Sequence, residues 1–220
     1  MCYYIGGDYM YEEALEILKK INMLGYEAYI VGGYPRDKYL NITSYDIDIC
    51  TNMPPDIIKK NFKVTKDSGY GSLMIEDKFE ITTYRRDIYN KNRFPEIEYV
   101  STLEEDLKRR DFIINTLCID LNGNYIDKLN AIDDLDNKII RTVKNVNISF
   151  KEDPLRIIRA LRFKIDLNFS LNDDIIESIN KNKELLKTIS NKRIEKEINK
   201  SKNKELIYEL IGDVYERKSN

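Results

Sequence analysis

Three short stretches of this chain hold residue types that could do chemistry together. The first is Gly32-Gly33-Tyr34-Pro35-Arg36-Asp37, followed nine residues later by Asp46-Ile47-Asp48. If Tyr45–Cys50 is a strand, the alternation of side chains puts Asp46 and Asp48 on one face. Two carboxylates that close repel, and a cation between them removes the cost. A glycine turn lets backbone approach an anion, with its amides and the following helix start as donors. Glu80, in Phe79-Glu80-Ile81-Thr82-Thr83-Tyr84-Arg85, would bring a third carboxylate from a neighbouring strand. Each piece also has a plainer reading: a solvent-facing polar edge for the two aspartates, an ordinary strand glutamate for Glu80. Together they suit two-metal phosphoryl transfer, in which one ion lowers the pKa of an attacking hydroxyl and the other neutralises a triphosphate.

The second stretch is Arg109-Arg110-Asp111-Phe112 with Asn115 beyond it. Adjacent guanidinium forks can hold phosphate or ribose hydroxyls. A basic helix end that complements the macrodipole would look the same. The third is Glu152-Asp153-Pro154-Leu155-Arg156-Ile157-Ile158-Arg159. Asp153 and Arg156 are spaced i,i+3 and would share a helix face, either as a common ion pair or as a reader of bases. A carboxylate accepts from the exocyclic amine of cytosine or adenine while a guanidinium donates to the adjacent ring nitrogen. Guanine and uracil present a carbonyl where that amine should be.

Composition narrows the choice. Histidine is absent, which excludes Ser-His-Asp triads and the usual zinc sites. Cys2, Cys50 and Cys118 are isolated, so neither a disulfide framework nor a thiolate metal site is expected. A metal would be held by carboxylates, which favours Mg2+ or Mn2+. Net charge is −2, yet Lys181 to Lys204 carries nine basic against three acidic side chains. That segment is either a solvated helical surface or a track for an RNA backbone. No apolar run is long enough to span a bilayer, and Met1–Asp8 has no signal-peptide pattern, so a cytoplasmic protein with no membrane partner is expected.

The elements that must position these residues follow from periodicity. Asp8–Leu24 reads as an amphipathic helix ending at Gly25, and Ala28–Val31 as a buried strand. Pro54-Pro55 opens a helix running to Phe62, and Leu73–Ile75 and Phe79–Tyr84 read as strands. Ile88–Pro95 reads as a polar loop, Glu104–Arg110 as a helix, and Leu117–Asp120 with Tyr125–Asp127 as a hairpin about Asn122-Gly123. After Phe150 strand signals stop, and Pro154–Leu167, Asp173–Asn182 and Arg193–Asn199 read as helices. The prediction is an α+β fold: a head with a mixed sheet and flanking helices over 1–145, then an all-helical neck over 146–220.

These constellations, in this order, resemble the bacterial and eukaryotic class of tRNA CCA-adding nucleotidyltransferases (class II) and their poly(A) polymerase relatives, from Tyr29 to Lys200. The resemblance implies a polymerase beta-like head and template-independent addition of C and A to the 3′ end of tRNA from CTP and ATP. It implies that Asp46 and Asp48 hold the metals, that Glu80 assists, and that Gly32, Gly33 and Arg36 belong to the nucleotide-binding signature. Arg109 and Asp111 would contact the sugar, with Asn115 nearby. Asp153 and Arg156 would read the base, and Arg159 would support the phosphates or the template helix. Glu152, Arg193 and Glu197 would steady that helix.

Family members carry Thr-Ile-Asn-Ala where this chain has Ile113-Ile114-Asn115-Thr116. They also continue into body and tail helices that grip the tRNA elbow. These are expected to be reduced or absent here, with a second copy or a partner chain supplying RNA-binding surface. The segment 86–98 matches the loop that switches C to A addition, which favours full CCA addition. The alternatives are a poly(A) polymerase-like or A-adding enzyme, and a noncatalytic RNA-binding subunit that needs a partner.

Overall fold

A computed structural model of the chain describes residues 5–89 and 95–212. Cys2 and residues 90–94 of the predicted polar loop lie outside them. The chain divides into two compact units, Met1–Arg110 with Ile114–Ile132, and Asp111–Ile113 with Asp133–Asn220. The sequence reading placed one boundary at 145.

The first unit begins with α1 (Ile5–Met23), β1 (Ala28–Val31), α2 (Gly33–Tyr39), β2 (Asp48–Thr51) and α3 (Pro55–Asn61). Then come β3 (Val64–Asp67), β4 (Ser72–Ile75), β5 (Phe79–Thr83), β6 (Arg85–Ile88), β7 (Glu96–Tyr99) and α4 (Leu103–Leu107). A 3-10 turn at Ile113–Asn115 leads to β8 (Cys118–Ile119) and β9 (Tyr125–Ile126). Seven strands form one mixed sheet in the order β3-β4-β5-β2-β1-β8-β9, and β6 pairs with β7 apart from it. The β2–β5 pairing is parallel and the other pairings in the large sheet are antiparallel.

Helix α1 forms because Ala14, Leu18 and Ile21 recur at helical spacing and are all fully buried. It stops where Gly25 takes φ 85°. Strand alternation divides the core in two. Ile30, Ile49 and Ile81 pack with α1 on one face, while Val31 and Cys50 pack with Tyr84, Leu103, Leu107 and Cys118 on the other. Both faces are covered, and β2 and β5, which carry Asp48 and Glu80, lie inside the sheet.

The second unit holds most of α5 (Ala131–Asp136), β10 (Ile139–Ile140), α6 (Val146–Glu152), α7 (Leu155–Leu167), β11 (Ser170–Leu171), α8 (Asp173–Asn182), α9 (Asn191–Ile198) and α10 (Lys204–Ile211). It is helical apart from the two-residue parallel pairing of β10 with β11. Helix α6 packs on α8, and α7 on α9 and α10. Residues 111–113 join this unit through a Phe112–Thr142 bridge and bonds between Asp111, Ile113, Arg141 and Val143. Among the described residues no helix is long and apolar enough to cross a membrane.

Candidate active site

In the first unit the glycine turn and the acidic strand meet. Gly32 has φ 85° and ψ −132°, a conformation that side chains disfavour, and it caps the start of α2. A Cβ there would lie 3.1 Å from Asp48 Oδ2 and 4.0 Å from Arg110 Nη1. Two side chains, one from β2 and one from just beyond α4, therefore converge on Gly32. Asp48 pairs in register with Val31 of β1 and with Glu80 of β5. Ile47 and Ile49 on either side of Asp48 are buried, so the carboxylate faces away from that core.

One expectation needs correction. Strand β2 starts at Asp48, not Tyr45, and Asp46 is exposed in the segment before it. The physical reason is the turn itself: β1 ends at Val31, Gly32 swings the backbone away, and residues before Asp48 have no strand to pair with.

Among the described residues no three His, Cys, Asp or Glu side chains gather into a ready metal cage. That does not disqualify Asp46, Asp48 and Glu80. Mg2+ takes one or two carboxylates and completes its shell with water and substrate phosphates. Among the described residues neither Asp46 nor Glu80 enters an ion pair. A donor set of carboxylates alone, partly exposed and not neutralised by bases at Asp46 and Glu80, fits a hard cation.

Arg36 and Asn115 are brought together. Both are buried, and Arg36 Nη1 donates to Asn115 Oδ1 at 2.6 Å. Arg36 also pairs with Asp37 at 2.7 Å. They brace the glycine turn from behind. Gly33 is less constrained than Gly32, since a Cβ there would meet only Arg36 Nη2 at 3.5 Å and Asp37 Oδ2 at 3.9 Å.

A residue that sequence reasoning missed organises the double arginine. Asp106 is fully buried and pairs with Arg109 at 2.9 Å and Arg110 at 3.3 Å, while accepting the Arg85 amide. Burial pushes its carboxyl up, but the two guanidinium groups outweigh that and hold it below the usual range. Burial likewise opposes the charge on Arg110, which Asp106, the Cys50 and Cys118 thiols, and Asp48 keep above its ordinary value. A signal was available: Leu103, Asp106 and Leu107 are i, i+3 and i+4, so Asp106 sits on the apolar stripe of α4.

The second unit gathers the remaining candidates into three ionic groups. Asp111 accepts from Arg159 at 2.5 and 2.6 Å and from the Phe112 amide at 2.8 Å. Arg159 also reaches Glu197 at 3.5 Å, and Glu197 pairs with Arg162 at 2.8 Å and Lys200 at 3.0 Å. Burial acts to raise the Glu197 carboxyl, but Arg159 and Arg162 hold it below the usual range. Arg159, itself opposed by burial, is held up by Asp111 and Glu197.

Asp153 is not on the helix that carries Arg156. It ends α6 with φ −143° and ψ 99°, because the following Pro154 excludes the helical conformation there. It bonds the Leu155 amide and lies 3.7 Å from Arg193. Arg156 is buried and turned back along α6, where Nη1 donates to Ser149 Oγ at 2.9 Å and pairs with Glu152 at 3.3 Å. Lys144 grips both Glu152 oxygens at 2.8 and 3.0 Å. Ser149 and Lys144 left no signal in the sequence, since neither belongs to a motif or an apolar period.

Residues 28–141 match the family model of the poly(A) polymerase head domain. The chain belongs to this family. Curated relatives include CCA-adding enzymes from Streptococcus agalactiae serotype V, 43% identical over 190 residues, and from Ligilactobacillus salivarius, 44% identical over 191 residues. These matches take in 83% and 84% of this chain and 47% of each relative. Among solved structures, the Bacillus stearothermophilus CCA-adding enzyme in complex with CTP superimposes with a TM-score of 0.80 at 35% identity, covering 87% of this chain and 48% of that one. A tRNA nucleotidyltransferase complexed with a primer tRNA and an incoming ATP analog gives 0.68 at 31% identity, covering 89% and 58%. The chain thus spans about half the length of the curated relatives it matches. Membership of the poly(A) polymerase head family agrees with the mixed sheet and the helical second unit.

Proposed function

We propose that this chain carries the catalytic and base-selecting parts of a nucleotidyltransferase that adds C and A, without a template, to the 3′ end of tRNA from CTP and ATP. The observation that carries the reading is Asp48, in register with Glu80 and set against the Gly32 turn. Mg2+ held by Asp46 and Asp48 would activate the attacking 3′ hydroxyl and neutralise the leaving pyrophosphate. Glu80 adds negative charge beside Asp48. The backbone at Gly32 and Gly33 offers room for the triphosphate, and Arg36 with Asn115 keeps that turn in place.

Arg109, fixed by Asp106, supplies a guanidinium for the sugar or phosphates. Asp111 serves the sugar from a position fixed by Arg159. Asp153 accepts from the exocyclic amine of cytosine or adenine, and Arg156 donates to the adjacent ring nitrogen. Glu152 and Glu197 steady α7 through its Arg156 and Arg159, and Arg193 steadies Asp153 just before it. Action on tRNA would suit a cytoplasmic protein, and a second copy or a partner chain would add RNA-binding surface.

The test is extension of tRNA lacking its 3′ end, with Mg2+ and CTP or ATP separately and together. Sequential incorporation of C, C and A is expected. Long runs of A without C would favour a poly(A) polymerase-like activity, which the family of the head also includes by name. No incorporation would leave a noncatalytic RNA-binding subunit.

A further inference from the structure

The second unit also holds a cavity of about 290 Å3 that the reaction proposed above does not use. Its walls are mainly the segment from Arg141 to Asn147 and the first turns of α8. Among the described residues, none of those assigned above to metal, sugar or base lines it. Its size is near the lower end of ordinary ligand sites.

Three asparagines line the cavity, and each has its carbonyl oxygen engaged within the protein. Asn145 Oδ1 accepts from the Asn147 and Ile148 amides, and Asn172 Oδ1 accepts from the Asp174 amide. Asn147 Oδ1 accepts from Ser178 Oγ and Asn182 Nδ2. What each asparagine has left is its NH2 group, a pair of donors. Arg141 is placed in the same way. Buried Asp134 takes its Nε at 2.8 Å and its Nη2 at 2.5 Å, which fixes the guanidinium and leaves Nη1. Asp174 is opposite in character, an exposed carboxylate on the wall with no ion pair among the described residues. Val146 and Ile175 add apolar surface.

This set discriminates among ligands. An inorganic anion would suit the donors and be repelled by Asp174. A neutral sugar would suit Asp174 and the amides and leave Arg141 without a counter-charge. A nucleoside monophosphate meets every group: phosphate for Arg141, ribose hydroxyls for Asp174, acceptor edges for the amides and a ring face for the apolar residues. We propose that the cavity is a second nucleotide site, which takes a nucleoside monophosphate, free or as one residue of an RNA strand, with Arg141 on the phosphate and Asp174 on the ribose. It shares no residue with the candidate active site, so the two readings fail separately.

The experiment is equilibrium dialysis of the whole chain with adenosine 5′-monophosphate and with adenosine. It compares the unaltered protein with Asp174→Ala, Asp173→Ala and Asp153→Ala. Asp173 is an exposed acid on the same helical turn that does not line the cavity, so its removal controls for charge alone. The monophosphate is expected to bind, and adenosine to bind about tenfold more weakly without the phosphate that Arg141 holds. Asp174→Ala is expected to weaken the monophosphate about tenfold, the size of one hydrogen bond to a charged group, and Asp173→Ala to leave it unchanged. The site is overturned if the monophosphate does not bind, if adenosine binds as tightly, or if the Asp173 and Asp174 variants behave alike. It is also overturned if Asp153→Ala loses the monophosphate while Asp174→Ala keeps it, which would put the ligand at the candidate base reader and leave the proposed function standing. A single-stranded RNA tetramer separates the two sources. Asp174→Ala weakens the tetramer as well if the site takes a residue of the strand, and the monophosphate alone if it takes a free nucleotide.

Discussion

The two units differ in how their candidate acids are met by bases. In the first, Asp46 is exposed and Glu80 half-buried, and among the described residues neither has an ion-pair partner. In the second, every candidate acid is met by a base: Asp111 by Arg159, Glu152 by Lys144 and Arg156, Asp153 by Arg193, and Glu197 by Arg159, Arg162 and Lys200. The difference teaches what each is for. Carboxylates without an ion-pair partner, such as Asp46 and Glu80, leave negative charge open to a cation. Compensated ones fix the orientation of their partners. Asp106, like Asp37, shows that the first unit also pairs acids where it needs arginines held still.

Three substitutions would break or sharpen that contrast. The largest effect is expected for Asp48→Asn, which should lower nucleotide transfer by about 10³-fold in single-turnover kinetics, as removal of a metal clamp does. Its unfolding midpoint should move far less than its rate. Retained turnover would erase the distinction between the units.

Glu197→Gln should do the reverse. It leaves buried Arg159 and Arg162 undercompensated and should cost about 3 kcal/mol by denaturant titration. The pH dependence has a definite sign. The folded Glu197 carboxyl lies below its unfolded value of about 4.3. Its contribution to stability is therefore complete above that value and is lost as pH falls through the depressed folded one. The glutamine variant should lack this acid-side loss.

The smallest effect is expected for Gly32→Ala, about 1–2 kcal/mol for a side chain held at positive φ. The new methyl would also press on Asp48 Oδ2. Circular-dichroism melts would measure it, and an unchanged midpoint would mean that the turn relaxes freely.

How much of this was legible in the sequence depended on what each residue packs against. The strands at Leu73–Ile75 and Phe79–Thr83 alternate cleanly because one face lies on α1, and they were found. The hairpin of β6 and β7 was missed; the expected polar loop, Ile88–Pro95, overlaps it only at Ile88. Its residues Arg85, Arg86 and Asp87 and Glu96, Ile97 and Glu98 carry no apolar face to reveal a strand. Strand β3 was missed for the same reason, as a mostly exposed edge.

For the candidate site, the glycine turn and Asp48 were readable because a tight backbone and a strand leave patterns of residue type. The register of Asp48 with Glu80 was not, since pairing partners in a parallel sheet are far apart in sequence. Pro154 did announce that Asp153 would leave the helix, and the i,i+3 spacing with Arg156 distracted from it.

The placement of residues 111–113 has a consequence for how such a chain can be divided. No single cut separates the two units. A fragment ending at residue 132 would keep Phe112 but lose Thr142 opposite it and Phe163, whose ring meets it edge-on at 5.6 Å. A fragment starting at 133 would keep Arg159 but lose the Asp111 carboxylate. The first fragment would carry three residues that belong to the second unit, and the second fragment would lack them, so recombination at one junction would exchange neither part intact.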